Sequence, residues 1–270
     1  MTAPTSSRRQ WSAPTASGGG GESERLVGVL AQCALLFGMP MDQLEEVASV
    51  CTTVSIAPQE HVFAEGDPCG GLWVIAEGRV RLYHADAQGR QQVVSFRGPS
   101  DLLELAPALD GRAYSASALT LEECDLVYVP RATLASLGER FPVTIRNTMS
   151  QLCMEVRQRD IATAIASLRN ARGRVLCTLL FMADQYGVRT GDGGVSIDYR
   201  LTRQDIADRS GVTLETSIRV LSDLQRRGLV RTRAQCIEIL EVERLRTLGE
   251  CGECELDCSV FAKPRPRVLV

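Results

Sequence analysis

Between Thr52 and Pro130 the chain is written as seven short β-type runs: Val54–Ile56, His61–Phe63, Leu72–Ile75, Val80–His84, Gln91–Phe96, Tyr114–Leu119 and Leu126–Val129. Gly66, Gly71, Gly78, Gly89 and Gly111 stand between them, where turns call for positive φ, which glycine adopts without steric cost. Strands this short and this closely spaced predict a compact barrel or roll. The texture differs on both sides. Residues 1–23 are rich in Ser, Thr, Pro, Ala and Gly, lack apolar periodicity, and are expected to form a disordered leader. Two helical patterns follow, Arg25–Phe37 and Met41–Val50, with Leu44, Val47, Ala48 and Cys51 at 3–4 spacing around the second.

After Pro130 the pattern is helical. A short helix is expected over Arg131–Arg140 and a long one from Pro142, since proline suits a first turn. Along the long helix Ile145, Met149, Leu152 and Val156 recur at 4-3-4 spacing, the apolar seam that two helices share in a coiled coil. The seam is narrow and followed by Arg157, Gln158 and Arg159, which favours self-association over packing against its own domain. A further helix, Ala171–Tyr186, is expected to close on Gly187 as a C′ residue, before a loop at Gly191–Gly194 and a strand at Val195–Tyr199.

Thr202-Arg203-Gln204-Asp205 has the form of a capping box, opening a helix Arg203–Ser210 that stops at Gly211. Thr213 then caps a second helix, Leu214–Arg227. Two short helices joined by a glycine-containing turn form a helix-turn-helix, spanning Leu201 to Gly228, whose second helix lies in the major groove of DNA. Glu215 and Arg219 are four apart on one face, with Val220, Leu221 and Leu224 on the other. Arg219 can hold guanine O6 and N7 and Glu215 can accept from a cytosine amino group, each worth about 1–3 kcal/mol of discrimination. The competing reading is an exposed intrahelical ion pair worth a few tenths of a kcal/mol. It is disfavoured by the two strand-like runs after Gly228, Leu229–Arg233 and Cys236–Leu240, which form a wing where Arg231 and Arg233 can meet phosphates.

Charge is distributed accordingly. Glu24–Phe141 carries eight basic residues against sixteen acidic, net −8, whereas Asn170–Glu250 carries thirteen against eleven, net +2. The C-terminal part is therefore the better surface for a polyanion. No segment approaches the roughly eighteen uninterrupted apolar residues of a membrane helix, and no signal peptide is visible, so a cytoplasmic protein without membrane contact is expected. No nucleophile–base pair or phosphate-cradling loop appears, and His61 and His84 both fall in strand-like runs, so no enzymatic activity is expected.

The order of parts resembles the CRP/FNR regulators. Glu65-Gly66-Asp67, then Leu72, Ile75, Gly78 and Val80, are similar to their glycine-punctuated β-roll. Arg200–Val230 is similar to their helix-turn-helix, and Gly211-Val212-Thr213-Leu214-Glu215-Thr216 with Arg219 resembles the FNR branch. The resemblance covers residues 25–248. It implies an α+β architecture: a cyclic-nucleotide-binding-like β-roll, a long dimerisation helix and a C-terminal winged helix-turn-helix. The expected division is a leader at 1–23, a sensory roll at 24–141, the dimerisation helix at 142–169, the DNA-binding domain at 170–248 and a cysteine-containing tail at 249–270. It further implies a homodimer on a palindromic site in double-stranded DNA, with RNA polymerase as a further partner the resemblance allows. Carried over by position, Glu215 and Arg219 read bases while Thr202, Arg203, Gln204 and Thr216 touch phosphate. Leu214 and Ile218 occupy places where members differ, which leaves the half-site sequence open. Cyclic-nucleotide-binding members carry Gly-Glu-Leu and, further on, Arg-Ser, whose arginine pairs with the cyclic phosphate. Here those places read Leu103-Glu104-Leu105 and Tyr114-Ser115. An anion buried without that arginine costs several kcal/mol, so cyclic AMP is not the expected effector.

The remaining signal is cysteine. Reduced cytoplasmic thiols point to metal, redox sensing or burial rather than a disulfide framework. Cys251, Cys254 and Cys258 place three thiolates within eight residues, able to converge on one metal or on three irons of a cluster. Some FNR relatives carry such a cluster after the wing, and the resemblance implies a [4Fe–4S] iron-sulfur cluster responding to redox or gas signals such as oxygen or nitric oxide. Zinc is the rival occupant, and an unliganded tail the third reading. Cys236 is the first choice of fourth ligand, with Cys153 and Asp160 as others. Cys51, Cys69, Cys124 and Cys177 are taken as buried or incidental, Cys177 on an apolar helix face being the clearest. The alternative is a regulator of the same fold with another small-molecule effector in the roll and a structural or zinc-binding tail.

Overall fold

The computed structural model describes residues 20–191, 193–197, 199, 201–233 and 236–249. Cys251, Cys254 and Cys258 lie outside the described residues. The chain opens with α1 (Gly20–Gln32) and α2 (Met41–Ser49). α1 begins inside the expected leader and stops before Phe37. Beyond it Cys33, Leu36 and Met39 close successive i→i−3 bonds, which turn the chain tightly enough to bury Cys33, Leu35 and Leu36.

The roll follows as β1 (Thr52–Ile56), β2 (His61–Phe63), β3 (Gly71–Glu77), β4 (Val80–Ala85), β5 (Gln91–Arg97), β6 (Leu102–Leu103), α3 (Leu105–Asp110), β7 (Ser117–Thr120) and β8 (Cys124–Pro130). Two four-stranded antiparallel sheets result, β1-β8-β3-β6 and β2-β7-β4-β5. Between them lies a core that includes Leu72, Ile75, Leu82, Leu103 and Leu126, each at most 1% exposed. β6 escaped the sequence reading because two residues carry no period. The run expected from Tyr114 starts as a strand only at Ser117, because the Ser115 N–H is committed to the Glu104 carboxylate at 3.1 Å. Gly71 is not at positive φ. It lies in β3, where a Cβ would sit 2.3 Å from the Val129 carbonyl.

α4 (Arg131–Arg140) and α5 (Pro142–Leu168) lead out of the roll to α6 (Ala171–Tyr186). In α5 only Thr144 is fully buried. Ile145, Met149 and Val156 of the expected seam are exposed, whereas Leu152 is partly covered by its own roll. Leu152 is thus shared between the two readings of the helix. The head continues as β9 (Gly187–Arg189), β10 (Val195–Ile197), α7 (Arg203–Ser210), α8 (Leu214–Arg226), β11 (Val230–Arg233), β12 (Cys236–Ile239) and α9 (Val242–Leu248), with a four-stranded wing sheet ordered β11-β12-β10-β9. Gly187 does not take the left-handed C′ conformation. It is extended and starts β9, and glycine is required because a Cβ would lie 2.1 Å from the Ala183 carbonyl.

A second core is built from both halves of the molecule. Tyr83, Val93, Phe96 and Leu119 of the roll pack with Leu176, Leu179 and Met182 of α6, with Tyr199, and with Ile206, Leu221 and Leu224 of the head.

Candidate nucleic-acid interface

The reading head is fixed from its helix ends inward. Thr202 accepts from the Asp205 N–H at 3.0 Å, and its own N–H donates to Asp205 Oδ2 at 2.9 Å, so both halves of the capping box are made. Gly211 ends α7 in the left-handed conformation at φ 60°, a geometry open to glycine at little cost. Thr213 then caps α8 by accepting from the Thr216 N–H at 3.2 Å.

Three further contacts lock these helices, and none has a local sequence signature. Ser217, fully buried, donates to the Arg203 carbonyl at 3.1 Å and clamps α8 onto the start of α7. Ser210 donates to Thr178 Oγ1 at 2.9 Å, joining α7 to α6. Arg174 reaches from α6 to the carbonyls of Ser210 and Gly211, at 2.9 and 3.1 Å, and so satisfies acceptors left free at the end of α7. A guanidinium fork suits this because it offers several donors in one plane.

With Val220, Leu221 and Leu224 buried, α8 turns Leu214, Glu215, Ile218 and Arg219 outward. Among the described residues neither Glu215 nor Arg219 forms a hydrogen bond or ion pair, so the intrahelical pair that competed for them is not made. Thr202, Arg203, Gln204 and Thr213 are also exposed, and Thr216 is half-buried. Gln204 donates to the Asp208 carboxylate. On the wing, Arg231 is exposed but paired across the strands with Glu238 at 3.2 Å. Arg233 ends β11, directly opposite Cys236 in the β11–β12 register. An open cleft of about 980 Å³ separates the head from the β4–β5 hairpin, with Gln204, Thr213 and Thr216 on one wall and Arg81, His84 and Arg90 on the other.

In the roll, Glu104 sits at φ 54° and its carboxylate accepts from both the N–H and the hydroxyl of Ser115. Tyr114 is buried and stacked on Phe63, ring centroids 3.7 Å apart, with its hydroxyl directed at the Gly71 carbonyl. Cys33, Cys51, Cys69 and Cys124 are buried free thiols, Cys153 is exposed, and Cys236 is half-buried. Cys177, expected on a buried face, is only half-buried. Among the described residues no group of three or more His, Cys, Asp or Glu could hold a metal.

Residues 53–141 match the cyclic nucleotide-binding domain and residues 173–248 the Crp-like helix-turn-helix domain. The chain belongs to the CRP/FNR family. Its relatives include the CRP-like cAMP-activated global transcriptional regulator of Mycobacterium tuberculosis, 27% identical over 217 residues, covering 80% of this chain and 96% of the relative. The anaerobic regulatory protein of Pasteurella multocida is 25% identical over 223 residues, covering 82% and 80%. Among solved structures, FixK2 from Bradyrhizobium japonicum superposes with a TM-score of 0.67 at 26% identity, covering 74% of this chain and 97% of that one. Regulators of this family bind DNA and act as dimers. The protein is a DNA-binding transcription regulator and not an enzyme. Among the described residues no helix is long and apolar enough to cross a membrane.

Proposed function

We propose that this regulator works as a cytoplasmic homodimer, joined along Ile145, Met149, Leu152 and Val156, that lays α8 of each protomer into the major groove of a palindromic operator. The domain limits given above, roll at 24–141, joining helix at 142–169 and head at 170–248, are part of this reading. Glu215 and Arg219 read base edges, Thr202, Arg203, Gln204, Thr213 and Thr216 meet phosphate, and Arg231 and Arg233 reach the backbone from the wing. Arg231 would exchange Glu238 for a phosphate. The observation that carries the reading is the pair of unpartnered charges, Glu215 and Arg219, on the exposed face of a helix whose other face is buried. Arg219→Ala should relax specificity at one base pair, losing about 1–3 kcal/mol there, while Arg203→Ala weakens all sequences alike. Competition binding against operators altered one base at a time checks this. Unchanged specificity in Arg219→Ala would mean that α8 is oriented differently.

The signal we propose is redox or gas, received at Cys251, Cys254 and Cys258 with Cys236 as fourth ligand. Soft thiolates suit iron-sulfur clusters and also zinc. Cys236 fits a ligand role because Ile237 and Ile239 beside it on β12 are buried while it is itself a half-exposed free thiol. A relative named for anaerobic regulation supports the oxygen-linked reading. When bound, such a cluster would supply an oxygen- and nitric-oxide-reactive centre, with Cys251, Cys254, Cys258 and Cys236 as the residues that would hold it. Cyclic AMP is disfavoured because Tyr114, buried and stacked on Phe63, occupies the sequence position where the family resemblance implies the phosphate-binding arginine. Protein purified without oxygen should be coloured and contain iron, and should change operator affinity on exposure to air. Colourless, iron-free protein that binds its operator regardless of oxygen overturns the sensor. Stoichiometric zinc instead would assign the tail a structural metal.

A further inference from the structure

The β4–β5 hairpin of the roll touches the head at the residue that organises its DNA-facing end. Arg81, on β4, donates from Nη1 to Asp205 Oδ1 at 3.1 Å across 124 positions of sequence. The side chains are only 14% and 7% exposed. The two carboxylate oxygens of Asp205 are divided between the domains. Oδ2 closes the capping box by accepting from the Thr202 N–H and hydroxyl, at 2.9 and 2.6 Å, and Oδ1 faces the roll.

Around this pair the contact is directional. Gln92, on β5, donates to the Arg209 carbonyl at 3.4 Å, and a Cβ on Gly211 would meet Gln92 Oε1 at 3.2 Å, so the hairpin abuts the turn between α7 and α8. The Arg81 guanidinium also lies over the Tyr83 ring at 5.3 Å, which fixes its direction from the roll side. Meanwhile Thr202, Arg203, Gln204, Thr213, Glu215 and Arg219 stay exposed. The base-reading pair Glu215 and Arg219 stays outside this contact, while Gln204, Thr213 and Thr216 line the open cleft that Arg81 also lines, so Arg81 holds the head beside its phosphate-facing end without covering its base-reading residues.

We infer that Arg81, a residue of the β-roll, is a positioning residue for operator binding: through Asp205 it sets the angle at which α7 and α8 of each protomer meet the duplex. Two heads on a dimer must match half-sites about one helical turn apart, so their angle acts on the full palindrome and far less on one half-site. The inference rests on α8 being the reading helix, and its test separates the two.

Wild-type protein is used to select its operator from random-sequence DNA. If it selects none, the DNA-reading assignment fails before Arg81 is tested. Arg81→Gln and Arg81→Lys are then compared with wild type on the selected palindrome, on a single half-site, and on palindromes with one base pair added or removed between half-sites. Thermal midpoint and oligomeric state are followed in parallel. Arg81→Gln should lose about tenfold on the selected palindrome and under about twofold on the half-site, flattening the preference for the native spacing. Arg81→Lys, which keeps the charge, should restore at least half of that loss. Equal losses on all DNAs, unchanged affinity, or tighter binding, which would make the pair a lock on an inactive arrangement, each overturn it. Failure of both variants to fold would place Arg81 in the fold alone and also overturn it.

Discussion

Cys33 and Cys51 face each other's neighbourhood beneath the roll, 1% and 4% exposed. Burial pushes the Cys33 thiol up to about 11, and burial together with the charge of Cys33 pushes Cys51 up to about 12. These groups hold their protons in the fold at pH values where the unfolded chain, with an ordinary thiol value of 9.0, releases them. Their contribution to stability is fully present below pH 9.0 and is lost as pH rises through about 11 for Cys33 and about 12 for Cys51, so the urea midpoint should fall steadily across that window. Cys33→Ala should flatten the fall. In the native protein at pH 8, iodoacetamide with peptide mapping should modify exposed Cys153 and spare Cys33 and Cys51. Labelling of Cys33 as fast as Cys153 would refute the burial argument. Legibility at this scale follows sequence distance. Glu215 and Arg219 can be read because a helix brings positions four apart onto one face. Ser217, Arg174 and Arg81 cannot, because their partners, Arg203, Ser210 and Asp205, are 14, 36 and 124 positions away.

α5 illustrates what periodicity can and cannot say about an element. Its start at Pro142 follows from the proline, and the 4-3-4 seam is visible in the sequence. The seam has two masters, however. Leu152 packs toward the roll while Ile145, Met149 and Val156 stay 46%, 64% and 57% exposed among the described residues. A period shows that one face is apolar and not which body covers it. Because these three side chains bury little in their own protomer, charging them should leave the fold intact and act on association. Ile145→Glu with Met149→Glu is expected to convert the dimer to monomer in sedimentation with a thermal midpoint of the roll changed by no more than a few degrees. Operator affinity should fall to that of a half-site. A variant that stays dimeric would move the interface elsewhere. Strands were legible where glycines punctuated them. β6 and β9, two and three residues long, were not, because elements that short exist through their partners rather than their pattern.

At the scale of the molecule, domain boundaries drawn from sequence texture hide a shared core. The β4–β5–β7 side of the roll and the head are packed as one hydrophobic body: Phe96, 3% exposed, meets Tyr199 edge-on at 5.2 Å, and its carbonyl accepts from the Tyr186 hydroxyl at 2.8 Å. Arg79 caps the other side, its guanidinium 5.0 Å from the Tyr199 ring. Roll and head should therefore unfold together in one calorimetric transition, in contrast to domains joined only by a linker. Phe96→Ala removes a ring from the middle of this body and should cost about 3–5 kcal/mol. Because the loss falls between the two halves, and each keeps much of its own core, the variant should resolve into two transitions, with the head melting first. Its effect on DNA should then differ from that of Arg81→Gln: a head freed from the roll keeps its half-site contacts but loses the preference for native spacing together with thermal cooperativity, whereas Arg81→Gln loses the spacing preference alone. A single transition in Phe96→Ala, shifted but not split, would show that the covalent path through α5 and α6 couples the halves, and that the packed interface only orients them.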